Sequence, residues 1–121
     1  MLVMSPDGRR IYTANVDAGS VSVLDLRART LLGTIPVSKQ VQRILILPDG
    51  KFVFTQDQKT PRIAVIATAT NAVVRWIALP RVAFPSAITK EGQWLLAISD
   101  SGKLFVVDLI SGRTDPPHER R

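Results

Sequence analysis

Apolar and polar residues alternate along most of this chain in short runs, and glycine, proline or aspartate separates one run from the next. Over residues 10–15, Ile11, Thr13 and Asn15 alternate with Arg10, Tyr12 and Ala14. That is the two-residue period of a strand, which sends successive side chains to opposite faces. The run Val21-Ser22-Val23-Leu24-Asp25 is rich in β-branched residues and reads as another strand. Four strands are predicted in the first stretch, at 2–4, 10–15, 20–26 and 30–37. The order returns at 44–47, 51–56, 62–67 and 72–79, where Pro80 stops the last strand. A third stretch has strands at 86–89, 93–99 and 103–109 and no fourth. No window has three-and-four apolar spacing that strand alternation does not explain better, so no helix is predicted.

The turns give the spacing. Ser5-Pro6-Asp7-Gly8 precedes the second strand of the first stretch, and Leu47-Pro48-Asp49-Gly50 stands in the same place in the second. A weakened form, Thr89-Lys90-Glu91-Gly92, stands there in the third. Proline presets φ for the first central position of such a turn, and glycine supplies its left-handed position. Gly8 to Gly50 and Gly50 to Gly92 are both steps of 42 residues, and a fixed step of this size marks stacked repeats. Four short antiparallel strands per unit predict an all-β fold, a partial β-propeller of about three blades. The blades are placed at 2–43, 44–85 and 86–113, the third lacking its fourth strand. Residues 114–121, with two adjacent prolines and almost nothing apolar, are predicted to be a polar tail.

Tyr12-Thr13-Ala14-Asn15, preceded by Ser5-Pro6-Asp7-Gly8 and followed by Val21-Ser22-Val23-Leu24-Asp25, resembles the YVTN β-propeller repeat. The first unit matches along nearly its whole length. The second keeps Pro48-Asp49-Gly50, Phe54-Thr55 and Ile63-Ala64-Val65-Ile66, but has Gln56-Asp57 and Ala67 where the pattern has a small residue with Asn, and Asp. The third keeps Gly92, Phe105-Val106-Val107-Asp108 and Gly112 and loses the Pro and Asp of the turn. The resemblance covers the chain up to Arg113. It implies propeller blades of a kind found in surface-layer and exported binding proteins, and hence a periplasmic or cell-surface parent. No cofactor is expected, since no cofactor-binding motif occurs in the sequence.

Composition narrows this picture slightly. The chain has 121 residues, 45% of them hydrophobic, which is one globular domain's worth. It has no cysteine, so disulfides, thiolate metal sites and cysteine nucleophiles drop out. The net charge is +6, but the 16 basic residues are scattered, and only Arg9-Arg10 and Arg120-Arg121 are adjacent. They are read as solvated edges and loop tips, with no nucleic-acid partner expected. No long apolar run predicts a transmembrane helix, so no membrane partner is expected either. The start, Met1 to Pro6, has neither the charged region nor the apolar stretch of a leader and reads as the end of a strand.

Candidate chemistry is sparse. Asp25 and Asp108 end the third strands of their blades, where a carboxylate that accepts amide bonds from the next turn is expected. Asp7 and Asp49 have the same turn role. Pro6, Asp7, Gly8, Pro48, Asp49, Gly50, Gly92, Asp25 and Asp108 are therefore expected to be structural, with no catalytic, cofactor-binding or metal-binding residue assigned. His118, the only histidine, lies in the tail. Tyr12, Trp76, Trp94 and Phe105 are expected in the core between blades. Asn15-Val16-Asp17-Ala18-Gly19 lacks the further carboxylates of a calcium loop. Ser99-Asp100-Ser101 has no histidine partner.

The function expected is a non-enzymatic module for protein or ligand interaction, with a binding surface on the turn face or in a channel lined by the first strands. The alternative is a piece of a propeller enzyme, lactonase-like or a cofactor-bearing redox propeller. Three blades do not close a ring, because propellers close with about four to eight. The chain is thus expected to be a fragment of a longer parent or a homo-oligomer, two copies approximating six blades around a twofold axis.

Overall fold

The computed structural model describes residues 1–38, 41–57, 59–114 and 118–119, with the backbone alone at 42, 57, 118 and 119. Residues 39, 40 and 58, and 115–117, 120 and 121 of the predicted tail, lie outside the described residues.

Three antiparallel sheets follow one another along the chain. The first is β1 (Leu2–Met4), β2 (Arg10–Asn15), β3 (Ser20–Asp25) and β4 (Thr30–Pro36). The second is β5 (Val41–Ile46), β6 (Phe52–Asp57), β7 (Arg62–Ala67) and β8 (Ala72–Ala78). The third is β9 (Ala83–Ile88), β10 (Trp94–Ser99), β11 (Lys103–Asp108) and the two-residue β12 (His118–Glu119). Each is a meander in which every strand pairs with its sequence neighbour. No helix occurs among the described residues, hence none that is long and apolar enough to cross a membrane. The strands β1, β5 and β9 gather along one edge of the stack, β1 touching β5 and β5 touching β9.

The first strands of the second and third blades begin three residues earlier than the alternation predicts, at Val41 and Ala83. The cause is a bulge in each. In β5 the register shifts between Val41 and Ile44, and in β9 the pairing steps from Ala87 opposite Leu96 to Pro85 opposite Ala97, passing over Ser86. A bulge breaks the alternation, and an edge strand accepts a proline that a central strand rejects.

The third blade has three full strands, as predicted, but the segment predicted as a free tail is partly tied to it. Thr114 bridges Val107, and β12 pairs Leu104 with His118 and Lys103 with Glu119. These rungs match those of the complete blades, in which Val73 lies opposite Ile66 and Ile77 opposite Ile63. Thr114, His118 and Glu119 thus stand in register where a fourth strand belongs. Backbone pairing along the open edge of β11 needs no apolar side chain, so a polar sequence can supply it.

The core lies between blades. Tyr12, Val21, Val23 and Ile35 of the first blade pack on Ile44, Val53, Ala64 and Ile66 of the second. Phe54, Ile63, Val65 and Ile77 on the other side of the second blade pack on Leu95, Ala97, Phe105 and Val107 of the third. The second blade is therefore covered on both faces, and β7 reads buried at four consecutive positions. Each large apolar side chain removed from water here contributes about 1.5–3 kcal/mol.

Among the described residues four buried ones are polar, Ser20, Thr55, Gln56 and Ser99. Gln56 is 1% exposed, and among the described residues neither its amide nitrogen nor its carbonyl oxygen has a hydrogen-bond partner. An unpaired buried amide costs about 1–3 kcal/mol. Gln56→Leu is therefore expected to hold stability level or raise it by about 1 kcal/mol, as read from the urea midpoint at unchanged slope.

Candidate functional site

The residues that recur are joined to the fold, turn by turn. In the first blade the Asp7 carboxylate accepts the Ser5 hydroxyl at 2.6 Å and the Arg9 amide at 3.0 Å. The Ser5 hydroxyl oxygen in turn accepts the Arg10 amide at 3.0 Å, and the Gly8 amide donates to the Ser5 carbonyl. In the second blade Asp49 accepts the Lys51 amide at 2.9 Å. In the third, which lacks the aspartate, the Thr89 hydroxyl accepts the Trp94 amide at 3.1 Å, taking the Ser5 role. Asp25 accepts the Ala28 amide and Asp108 the Ile110 amide, each at 2.9 Å. All four aspartates singled out in the sequence are caps. At Ala67, where the second blade lacks that aspartate, the neighbouring Thr68 hydroxyl donates to the Gly50 carbonyl instead.

These turns also stack on one another, which the sequence does not show. A Cβ at Gly50 would meet Pro6 Cδ at 2.8 Å, and one at Gly92 would meet Leu47 Cδ2 at 3.3 Å. Each blade's turn thus lies against the turn before it. Gly50 is fixed twice, by a φ of +76° and by the ring of Pro6. Gly8 has a similar φ, +72°, but open space around its Cβ position.

Arginines reach from blade to blade. Arg10 on β2 donates to the Thr68 carbonyl at 3.2 Å, and Arg75 on β8 donates to the Leu109 carbonyl at 2.6 Å. Thr68 and Leu109 hold the same position, directly after the third strand of their blades. Two arginines from different strands therefore serve one repeated acceptor. Arg43 stacks on Phe84 across the second junction, 5.6 Å from the ring centre. Several basic residues that read as solvated in sequence are thus junction contacts.

Of the four aromatics expected between blades, Tyr12 and Phe105 are there. Trp76 is not. It is 38% exposed on the outer strand β8, with the Arg62 guanidinium 3.8 Å from its ring centre. Trp94 is half-buried on the far side of the third blade. Asn15 donates to the Ser20 and Ser22 hydroxyls, a polar cluster and not a calcium loop. Ser99 and Ser101 share a hydrogen bond, and the Ser99 oxygen also accepts the Lys103 amide, so both belong to the turn. The His118 side chain lies outside what is described.

Two grooves mark the junctions. One, about 620 Å³, lies between the first two blades and is lined by Gly19, Val37, Ser38, Lys59, Thr60 and Arg62, among others. Its lining carries two cationic side chains and the hydroxyls of Ser38 and Thr60. The other, about 350 Å³, is apolar and lies between the second and third blades around Phe52, Val74 and Ile110. Among the described residues no group of His, Cys, Asp and Glu is placed to hold a metal ion.

No family model matches the sequence, and no curated protein matches it. Among solved structures the chain is similar to one titled Kuenenia stuttgartiensis hydrazine synthase, with a TM-score of 0.85 at 21% identity over 96% of this chain. The fold is a partial β-propeller. The match takes in 34% of the other chain, so this chain spans about a third of that length. At this identity the likeness is one of fold. The fold is also shared widely, since 807 solved chains match, and no single likeness assigns a chemistry.

Two outcomes test this reading of the turns. Gly8→Ala meets only the backbone penalty and is expected to cost about 1 kcal/mol, whereas Gly50→Ala also meets Pro6 and is expected to cost about 2–4 kcal/mol. Pro6→Ala is expected to restore part of the Gly50→Ala loss in a double-mutant cycle of chemical denaturation. The second concerns acid. The Ser5 hydroxyl, then the Arg9 amide, hold the Asp7 carboxyl below its ordinary value. Folding thus favours the ionised form. That contribution is present above the unfolded-state pKa and is lost as pH falls through the lowered folded-state value. The stability gap between Asp7→Ala and the parent chain is therefore expected to narrow on acidification through that range, as followed by thermal melts.

Proposed function

We propose that this chain is a non-enzymatic β-propeller repeat module of the YVTN type that presents surfaces for protein or ligand interaction. Its ring is completed by blades beyond the three described, from a second copy or from a longer parent chain. The observation that carries this reading is the state of the two end faces. The first blade leaves Leu2, Met4 and Leu31 between 50% and 60% exposed. The third leaves Trp94, Leu96, Ile98, Leu104 and Val106 only half-covered. A surface of this kind marks an interaction site.

The turns support the same reading. The four recurring aspartates all bind backbone or hydroxyl groups of their own turns, so each is tied to shaping a blade.

The test is turnover. The purified chain is expected to show none above a heat-denatured control across ester, lactone, phosphoester and peptide hydrolysis and dye-linked redox assays. A saturable rate that co-purifies with the chain would overturn the proposal.

A further inference from the structure

One cross-strand row repeats in all three blades. In the second it is Ile46, Val53, Ile66 and Val73, paired strand to strand. In the third it is Ile88, Leu95, Val107 and Thr114. Both rows lie at junctions. Val53 and Ile66 are buried under the first blade with Ile46 and Val73 beside them, and Leu95 and Val107 are buried under the second with Ile88 beside them. The first blade has the same row, Met4, Ile11, Leu24 and Leu31, in the same register. There it is uncovered, with Met4 50% and Leu31 60% exposed.

The opposite face repeats as well. The residues of the second blade that cover the third include the pairs Phe54–Val65 and Gln56–Ile63. Their counterparts in the third blade are Leu96–Val106 and Ile98–Leu104, apolar at all four positions, with Trp94 at the start of the same strand. The buried glutamine of the internal junction is replaced there by isoleucine. The chain therefore ends its stack on a covering face at one end and a row to be covered at the other.

The clasp has its counterparts too. Leu26 follows β3 as Thr68 follows β7 and Leu109 follows β11, so its carbonyl stands where the other two accept an arginine. Among the described residues no arginine reaches it. Trp94 opens β10 opposite Asp108, as Arg10 opens β2 opposite Asp25, and its indole N–H is a donor at the position from which Arg10 reaches the next blade.

We infer that a second copy of this chain is the partner for both faces. The third blade of each copy covers the Met4–Ile11–Leu24–Leu31 row of the other, with the Trp94 indole directed at the partner's first-blade turn. The contact continues the two junctions inside the chain. It is head-to-tail, and two copies then share two equivalent junctions around one axis and make six blades, within the range at which propellers close. The inference rests on the proposed module reading, and names the source of the missing blades.

The test is the mass of the full chain in solution by light scattering. A dimer is expected. Leu31→Asp, a substitution at an exposed site, and Leu104→Lys on the other face are each expected to raise its dissociation constant by roughly tenfold or more while circular dichroism stays unchanged. An equimolar mixture of the two variants is expected to recover dimer, because each mixed pair keeps one intact junction and sets opposite charges on the other. In a Trp76→Phe background, Trp94 emission is expected to shift to shorter wavelength with rising concentration. If Leu104→Lys unfolds the chain, Val106→Lys replaces it on the same face. A dimer weakened by Leu31→Asp and indifferent to both third-face variants would overturn the head-to-tail contact, and an open polymer would overturn the closed pair. A monomer that binds an apolar dye such as anilinonaphthalene sulfonate would overturn the second copy but leave the open faces, and so the module reading, standing. A monomer that binds no dye would overturn both.

Discussion

An antiparallel sheet four strands wide has two faces to remove from water, and a single sheet has no interior in which to hide either. The second blade shows what meeting that constraint requires. Its alternating residues go to two separate clusters, Val53, Ala64 and Ile66 to one neighbour, Phe54, Ile63 and Val65 to the other. No core lies within a blade. Burial depends wholly on what stands beside it, so each end blade inherits the problem that the middle one has solved. The tight turns, the junction arginines and the in-register rungs of β12 all serve this stacking.

The turns show how a local signal acquires a second use. Ser5-Pro6-Asp7-Gly8 is self-sufficient as a turn, its hydroxyl and carboxylate accepting the amides that the reversal leaves over. Once blades stack, the ring of Pro6 also lies against the backbone of Gly50, and the side chain of Leu47 against Gly92. The third blade keeps its glycine after losing both proline and aspartate, and Thr89 replaces Ser5 as acceptor. Glycine is the member of the motif that both constraints require, the left-handed backbone and the close approach.

The proposed role rests on the surfaces of the blades. The carboxylates that recur are held by their own turns, and the buried Gln56 amide meets no polar partner among the described residues. What the chain offers outward is apolar at its two ends. Propeller architecture hosts many unrelated tasks, so these local features and not the fold carry the proposal.

The strands, their order and their grouping were legible because alternation and turn chemistry are local: Arg62–Ala67 has the same limits in sequence and in structure. So were the roles of Asp7, Asp25, Asp49 and Asp108, since a carboxylate cap binds amides a few residues away. Bulges hid the starts of β5 and β9, because an extra residue breaks the alternation that marks a strand. Pairing at Thr114 and at His118–Glu119 was hidden because backbone bonds along an open edge ask nothing of side-chain polarity. Tyr12 and Trp76 alternate equally well in sequence. That one is buried between blades and the other lies exposed under Arg62 was settled by which strand stands at the centre of the sheet and which at its rim. Likewise the sequence by itself determined that three units repeat every 42 residues. Only the tertiary structure decided which face of each unit meets the next, because alternation distinguishes two faces but does not say what packs against them.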